Sequence, residues 1–365
     1  MRASLSLLNG QKNKALSKDF TEDLIASGYI HQEASGVFNL TALGTIGLRR
    51  LEEKLQNSLK EGDVSEWMLS SLQNENNWEK TGRSDVYGQE LMSVCLRSKK
   101  HMRLSATAEE QITNIMSALQ NQKVNHFVYQ LGTKWRDEIR ARGGLLRGRE
   151  FRMMDAYSFG ETKEDMLKSY QKGKAVLSEF LKTMGCEIRV VQSDMGEIGG
   201  LMSEEIQVKT DLDETGWMEV GHSFALGQKY SSSFDLKSRN GEHVWMSCHG
   251  LGTTRLLALL LKSRRGDQGF FGDEHFSLFD DVIVVLSQSE KIHQAAENLY
   301  RKLAKQNRSV LFEDRYTRAG QLLFASEQVC ACRRVLFSDR LGFSSAEVYE
   351  FDKKENSVVN LESLL

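Results

Sequence analysis

The 365-residue chain is predicted to fold as an α+β unit with an antiparallel sheet flanked by helices, followed by a C-terminal α/β unit of roughly 90 residues. Three observations predict this. Strand-like segments either side of a short glycine- and arginine-rich loop, between His126 and Phe159, read as an antiparallel hairpin. A second pair, WMEVGHSFAL and HVWMSC, leads through GLGTTR into a strongly apolar helix. From Phe279 onward strands alternate with helices, the pattern of a separate α/β unit. The units are placed at residues 1–268 and 275–365, with the run GDQGFFGDE at their junction.

In chain order, Leu48, Leu51 and Leu55 share one face, Leu59 continues the stripe and Gly62 ends it, so an amphipathic helix is expected. VSEWMLSSL (Val64 to Leu72) reads as a strand and NENNWEKTGRSDVYG as a loop. Helical spacing returns at Ile112, Ile115, Met116 and Leu119. HFVYQLGTKWRDEI alternates as a strand whose inner residues are Phe127, Tyr129 and Leu131; RARGGLLRGRE breaks it and EFRMMDAYSF is its partner. Thr162 and Asp165 form a capping-box pattern opening a helix with Met166, Tyr170, Leu177 and Leu181 buried, ended by Gly185. IRVVQ is the next strand. In the C-terminal unit DDVIVVL, SVLFED and RRVLFSD are strands, and helices run over Ile292, Ala296, Leu299 and Leu303 and from Arg318.

Composition narrows the function classes. With 40 % apolar and 27 % charged residues the chain is globular. No run approaches the roughly 18 apolar residues of a membrane span, so no membrane partner is expected. A net charge of −2 gives no global attraction to phosphate, so a polyanion has to be met by a local basic stretch. The five cysteines are irregularly spaced and MRASLSLLNGQKNK has no uninterrupted apolar core, which points to the cytoplasm. Cys330 and Cys332 lack a second Cys/His pair at zinc spacing, and no protein-held metal is expected. The outlying number is proline: there is none. At ordinary usage about 18 are expected, and chance absence is on the order of one in 10⁷ to 10⁸. Folding physics supplies no reason, since proline is useful in turns and at helix starts.

Three groups of residues can carry chemistry. Lys134 to Glu138, leading through Arg140, Arg142, Arg147 and Arg149 to Phe151, can hold a triphosphate on its guanidiniums or be a solvated basic turn. Gly250-Leu-Gly252-Thr-Thr-Arg255 opens a helix and can meet a phosphate, or be only a tight helix start. Thr107 and Glu109 can bind an ammonium, or Thr107 can cap a helix.

In this order the pieces resemble the bacterial prolyl-tRNA synthetases, a class II aminoacyl-tRNA synthetase family, from about Ile25 to about Val348. Thr133 to Phe159 resembles motif 2, Ser193 to Val208 the glycine-rich segment, Met218 to Ser231 the strand before motif 3, and Met246 to Arg255 motif 3. The helix from Leu48 to Leu59 with VSEWMLSSL resembles motif 1, and EDRYTRAGQLLFASEQVCACRRV is similar to the anticodon-binding domain. The resemblance implies a class II catalytic domain, a C-terminal anticodon-binding domain, ATP and Mg²⁺, L-proline and tRNA-Pro as partners, and a homodimer through motif 1. It implies that Arg136 grips the α-phosphate and the substrate carboxylate, Arg255 takes the γ-phosphate, and Glu138 and Phe151 hold adenine. Glu219 and His222 are then on the ATP side, Thr107 and Glu109 receive the imino group, and Phe224 and Cys248 close on the pyrrolidine ring. Arg147, Arg149, Arg315, Arg318 and Glu327 are implied tRNA contacts. Competing readings are a paralogue that makes an aminoacyl-adenylate for another acceptor, or a tRNA-binding regulator.

The chain departs from the family pattern in places. Ala108 and Glu204 stand where the family usually has histidines, near the expected pocket, and Leu322 where it usually has a lysine. Between Val208 and Gly216 there is room only for a turn, where many bacterial relatives carry an editing domain, so clearance of alanyl-tRNA in cis is not expected. Family prolines are replaced by Ser70, Ala106, Ala141, Asp273, Leu278, Ala319 and Cys332. A proline-free synthetase can be translated when prolyl-tRNA is exhausted, so a rescue or inhibitor-resistance copy is the expectation. Each replaced loop proline is expected to forgo a few tenths to about 1 kcal/mol of stability.

Overall fold

The computed structural model describes residues 1–3, 17, 19–119, 125–315 and 317–365. The expectation drawn from MRASLSLLNGQKNK falls largely outside these residues. By compactness the chain divides into one unit of Ala34–Phe38 and Leu51–Ala258 and another of Met1–Glu33, Asn39–Arg50 and Leu259–Leu365. This grouping differs from the contiguous 1–268 and 275–365 division, because packing is not bound to sequence order.

The first unit carries a seven-stranded sheet. Its spatial order is Ser65–Glu66, His126–Trp135, Glu150–Gly160, Trp245–Gly252, Trp217–Gly227, Met202–Lys209 and Ile188–Gln192, antiparallel at every pairing except the first. Register places Tyr157 opposite Cys248 and Cys248 opposite Phe224, so these three form a row on one face. They join Ala108, Ile112 and Met246 in a buried cluster. Against the other face lies the helix Lys163–Thr183, opened by the expected capping box of Thr162 and Asp165. It approaches so closely that a Cβ on Gly173 would lie 2.3 Å from His249 Nε2. Met166, Tyr170, Leu177 and Leu181 are its buried stripe, as their spacing predicts. The helix Ala42–Glu61 likewise buries Leu48, Leu51, Leu55 and Leu59.

Several elements differ from the sequence reading. The strand expected over VSEWMLSSL shrinks to Ser65–Glu66, and Met68 is 98 % exposed. The expected loop after it holds two short helices, Glu75–Thr81 and Arg83–Tyr87. The Asn74 side chain caps the first by accepting from Asn76 N (3.2 Å), and Gly82, at φ 70°, divides them. The strands Met202–Lys209, Ser345–Glu350 and Glu355–Asn360 were not legible in the pattern. In His126–Trp135 the most buried residues are Val128, Tyr129, Gln130 and Lys134, while Phe127 and Leu131 are half-buried. A strand covered on both faces does not alternate cleanly.

Lys134 therefore belongs to the interior and not to the basic loop. Its Nζ lies 2.9 Å from Asp155 Oδ1, while Gln130 Nε2 (2.9 Å) and the Tyr157 hydroxyl (2.8 Å) donate to Asp155 Oδ2. Removing one partner of a buried ion pair costs about 3–5 kcal/mol. Urea unfolding of Lys134→Met should show a loss of about that size; a loss below about 1 kcal/mol, the range of exposed pairs, would contradict the assignment.

The second unit holds a five-stranded sheet in the order Val310–Glu313, Phe279–Leu286, Ala331–Ser338, Ser345–Glu350, Glu355–Asn360. The first three strands are parallel and the last two antiparallel. Helix Glu290–Lys305 packs Ile292, Ala296, Leu299 and Leu303 into its core, and helix Ala319–Glu327 buries Leu322.

Candidate active site

The arginine-rich loop is a closed turn. Arg136 N donates to Arg149 O (2.9 Å) and Arg142 N to Arg147 O (3.2 Å), with Gly143 and Gly144 at φ 69° and 61°. Residues of this loop and of the strands Trp217–Gly227 and Trp245–Gly252 line a cavity of about 990 Å³. Arg136, Glu138, Phe151, Glu219, His222 and Arg255 all line it. Arg136 donates from Nε and Nη2 to Ala106 O (3.3 and 3.2 Å), and its guanidinium lies 5.3 Å from the Phe151 ring centroid. Arg255, in the first turn of Thr253–Ser263, donates to Leu146 O (2.8 Å) and Glu219 O (2.7 Å). Two guanidiniums placed far apart in sequence thus share one cleft over antiparallel strands.

Charge in the cavity is arranged by neighbours. Burial raises the Glu219 carboxyl, but the hydrogen bond with His222 Nδ1 (2.9 Å) and the charges of His222, Arg255 and Arg136 outweigh it, and the net shift is downward. Burial lowers Arg255, with Glu219 opposing. Glu138 accepts from Arg147 Nε (2.7 Å) and Arg140 N (2.9 Å). Glu205, Glu219 and His222 bring one ligand atom each to within 4.8 Å of one another. The two carboxylates are hard oxygen donors of the kind Mg²⁺ takes. The sequence reading had not singled out Glu205.

Thr107, Glu109, Phe224 and Cys248 are buried and do not line that cavity. They are tied to it nonetheless. Arg136 is bonded to the carbonyl of Ala106, next to Thr107, and the Phe224 ring stacks on His222 at 4.1 Å. Thr107 does not cap the helix Glu109–Ala118, whose N-cap, Ala108, makes no side-chain cap bond; its hydroxyl donates to Glu109 Oε2 at 2.5 Å. The Ala108 N–H donates to the Tyr157 hydroxyl (3.1 Å), which joins this turn to the Asp155 network. Burial, and after it Glu109, pushes the Cys248 thiol well up.

Sequence reasoning missed Arg83. It is 1 % exposed and donates from Nη1 to Glu110 Oε1 (2.8 Å) and Glu109 Oε2 (3.2 Å) and from Nε to Glu197 O (3.1 Å). Its guanidinium sits 5.2, 5.2 and 5.5 Å from the ring centroids of Trp78, Tyr87 and Tyr230. Burial raises both glutamates; Arg83 and the Thr107 hydroxyl outweigh it for Glu109, which shifts down, whereas Glu110 stays up. The available signal was an arginine between Trp78 and Tyr87, hidden in a segment read as a loop.

The expectation that Glu204 sits near the pocket is corrected. It pairs in register with Ser223, on the face opposite Phe224 and Cys248, and accepts from Lys174 (2.6 Å) and the Tyr170 hydroxyl (2.5 Å). On that face His249 is fully buried and pushed down to about 3 by burial, with Ser223 Oγ 2.9 Å from its Nδ1. It is an interior residue of the strand Trp245–Gly252. Of the expected tRNA contacts, Arg147 is half exposed and Arg149 bonds Asp137 (3.1 Å) and Ser35 O (2.5 Å). Arg315 pairs with Glu313 (2.5 Å), Arg318 is exposed at the start of its helix, and Glu327 pairs with Arg334 (3.4 Å).

The fold and the cleft define a class II aminoacyl-tRNA synthetase core, and residues 93–264 match the family described as tRNA synthetase class II core domain (G, H, P, S and T). The chain belongs to the proline–tRNA ligase family. It is 30 % identical to the proline–tRNA ligase of Anaplasma phagocytophilum, with 80 % of this chain and 81 % of that one covered. Identity is also 30 % to a probable mitochondrial proline–tRNA ligase of Schizosaccharomyces pombe, over 87 % and 85 % of the two chains. Among solved structures, the fold matches prolyl-tRNA synthetase of Cryptosporidium parvum complexed with halofuginone and AMPPNP. The TM-score is 0.82 at 15 % identity, covering 96 % of this chain and 76 % of that one. The Giardia lamblia prolyl-tRNA synthetase complexed with prolyl-adenylate also matches at TM-score 0.82, with 17 % identity and 94 % and 74 % coverage.

Proposed function

We propose that the chain activates L-proline with ATP to prolyl-adenylate and transfers the prolyl group to tRNA-Pro. The observation that carries this is the shared cavity: all six residues assigned to the nucleotide, Arg136 and Arg255 among them, line one space over the antiparallel strands. In that space the substrate carboxylate attacks the α-phosphorus in line and pyrophosphate leaves. Arg136 orients both reacting groups with its planar fork, and Arg255 holds the leaving phosphates, so positioning and electrostatics lower the barrier without a general base. Glu138 and Phe151 hold adenine. The Mg²⁺ that accompanies ATP would be held by the Glu205 and Glu219 carboxylates, with His222 beside them, and would supply neutralisation of phosphate charge. Thr107 and Glu109 take the ring ammonium, and Phe224 and Cys248 close on the apolar ring. In the second step the 3′-terminal ribose hydroxyl of tRNA attacks the prolyl carbonyl and AMP leaves.

Residues 275–365 are proposed as the anticodon-binding part, with Arg315, Arg318 and Glu327 as contacts, and Arg147 and Arg149 as further tRNA contacts. Leu322 is buried and so contributes to packing. The motif 1 region, with exposed Met68, is proposed as a homodimer face, and the cytoplasm as the location. No helix among the described residues is long and apolar enough to cross a membrane. The strands Met202–Lys209 and Trp217–Gly227 are joined by a turn closed by Thr210 N to Gly216 O (3.0 Å), which supports the absence of cis-editing at that connection. Freedom from proline supports a rescue copy, made when prolyl-tRNA is scarce. Proline-dependent pyrophosphate exchange and charging of tRNA-Pro test the assignment. Both are expected; exchange alone would mean another acceptor, and neither would mean a binding protein.

A further inference from the structure

We infer that Arg83 is a positioning residue for the amino-acid site: anchored on Glu110, it fixes the Glu109 carboxylate beside the Thr107 hydroxyl to receive the substrate's secondary ammonium. The inference rests on the proposed proline activation and deepens it. A fully buried guanidinium is expensive to desolvate, and this one is held by three acceptors on Nη1 and Nε and by the faces of three aromatic rings, while its Nη2 has no hydrogen-bond partner among the described residues. The rings come from three separate elements, with Trp78 and Tyr87 in the two short helices and Tyr230 in the helix Lys229–Ser233 after the strand Trp217–Gly227. The guanidinium is therefore held from several sides and cannot follow a moving carboxylate.

Two adjacent glutamates do different work around it. Glu110 Oε1 is fully enclosed and also accepts from the Thr81 hydroxyl (2.9 Å), so it is the anchor. Glu109 takes the longer bond (3.2 Å) and the Thr107 hydroxyl on the same oxygen. That arrangement holds the carboxylate plane while one guanidinium faces two acidic side chains, a charge balance that favours entry of one further cation. Of the other cations nearby, Lys229 is engaged with Ile198 O at 2.8 Å and lies 5.5 Å from the Tyr230 ring, and Arg136 is engaged with Ala106 O.

The test compares Arg83→Met and Arg83→Lys in pyrophosphate exchange, with tetrahydro-2-furoic acid as a competitor that has oxygen in place of the ring nitrogen. Loss of a charge-assisted bond should raise the KM for proline roughly ten- to a hundredfold in Arg83→Met while the KM for ATP stays within about twofold. Inhibition by the oxygen analogue should be unchanged, and Arg83→Lys should recover part of the proline KM. An equal loss for proline and the analogue, or an unchanged proline KM in folded Arg83→Met, overturns the inference. If Arg83→Met does not fold, Glu110→Gln decides: a raised proline KM with an unchanged analogue supports the anchor, and an unchanged proline KM rejects it. Absence of proline-dependent exchange in the unsubstituted chain would instead reject the reading beneath.

Discussion

Arg136→Ala is expected to lower kcat/KM for proline-dependent pyrophosphate exchange by roughly 10³-fold, in the range found when one preorganised donor to transition-state charge is removed. The size follows from how this guanidinium is held. Its Nε and Nη2 are fixed on the Ala106 carbonyl and its plane lies over Phe151, so its remaining donors enter the cavity already oriented. Orientation set before substrate arrives costs nothing during the reaction. Arg136→Lys separates geometry from charge: the ammonium keeps the charge and loses the fork, so activity should return only in small part. Exchange within tenfold of the unsubstituted chain for Arg136→Ala would remove this residue from the chemistry. Arg255→Ala gives a useful contrast, because Arg255 also ties Leu146 and Glu219 together through their carbonyls. Its loss should disturb the motif 2 loop as well as phosphate binding.

The elements that read correctly are those with a long period and a punctuated end. Leu48 to Leu59 and Met166 to Leu181 repeat over several turns and stop near Gly62 and Gly185. The residues proposed for the nucleotide, whose roles the family resemblance implies, line one cavity because they lie on the hairpin His126 to Phe159, the strand Trp217–Gly227 and the helix start at Arg255, elements marked in the pattern. Arg83 was not legible, because helices of seven and five residues are too short to show a period, and what stabilises them is remote: Tyr230 lies far along the chain. Lys134 misled for a related reason. A lysine in a basic run reads as surface, and only the partner strand, bringing Asp155 within 2.9 Å, makes burial tolerable. Glu204 shows the period-2 rule at work in the sheet: one position along the strand separates the pocket face from the helix-covered face.

The other large effect concerns synthesis. In a cell-free system depleted of prolyl-tRNA, this chain is expected to accumulate at undiminished yield while a proline-containing control stalls at its first proline codon. A parallel fall in both yields would end the rescue proposal. Such a chain still has to make its turns, and the structure shows substitutes where the family resemblance places prolines. Ser70 Oγ accepts from Leu72 N (3.2 Å), and Asp273 Oδ1 accepts from His275 N (2.9 Å), Phe276 N (2.8 Å) and Arg264 Nη2 (2.8 Å). Leu278 donates its N–H to Cys330 O (2.8 Å), a bond that proline cannot make, and Ala319 occupies the first helical position after Arg318. Side-chain turns direct the folded backbone as a pyrrolidine ring does, but they leave the unfolded chain unrestricted. Returning proline at Ala319, where a fixed φ suits the helix start and no intrahelical N–H bond is lost, should therefore stabilise the protein by about 0.4–1 kcal/mol. The same change should make its synthesis sensitive to prolyl-tRNA, so a single codon would trade the two properties against each other.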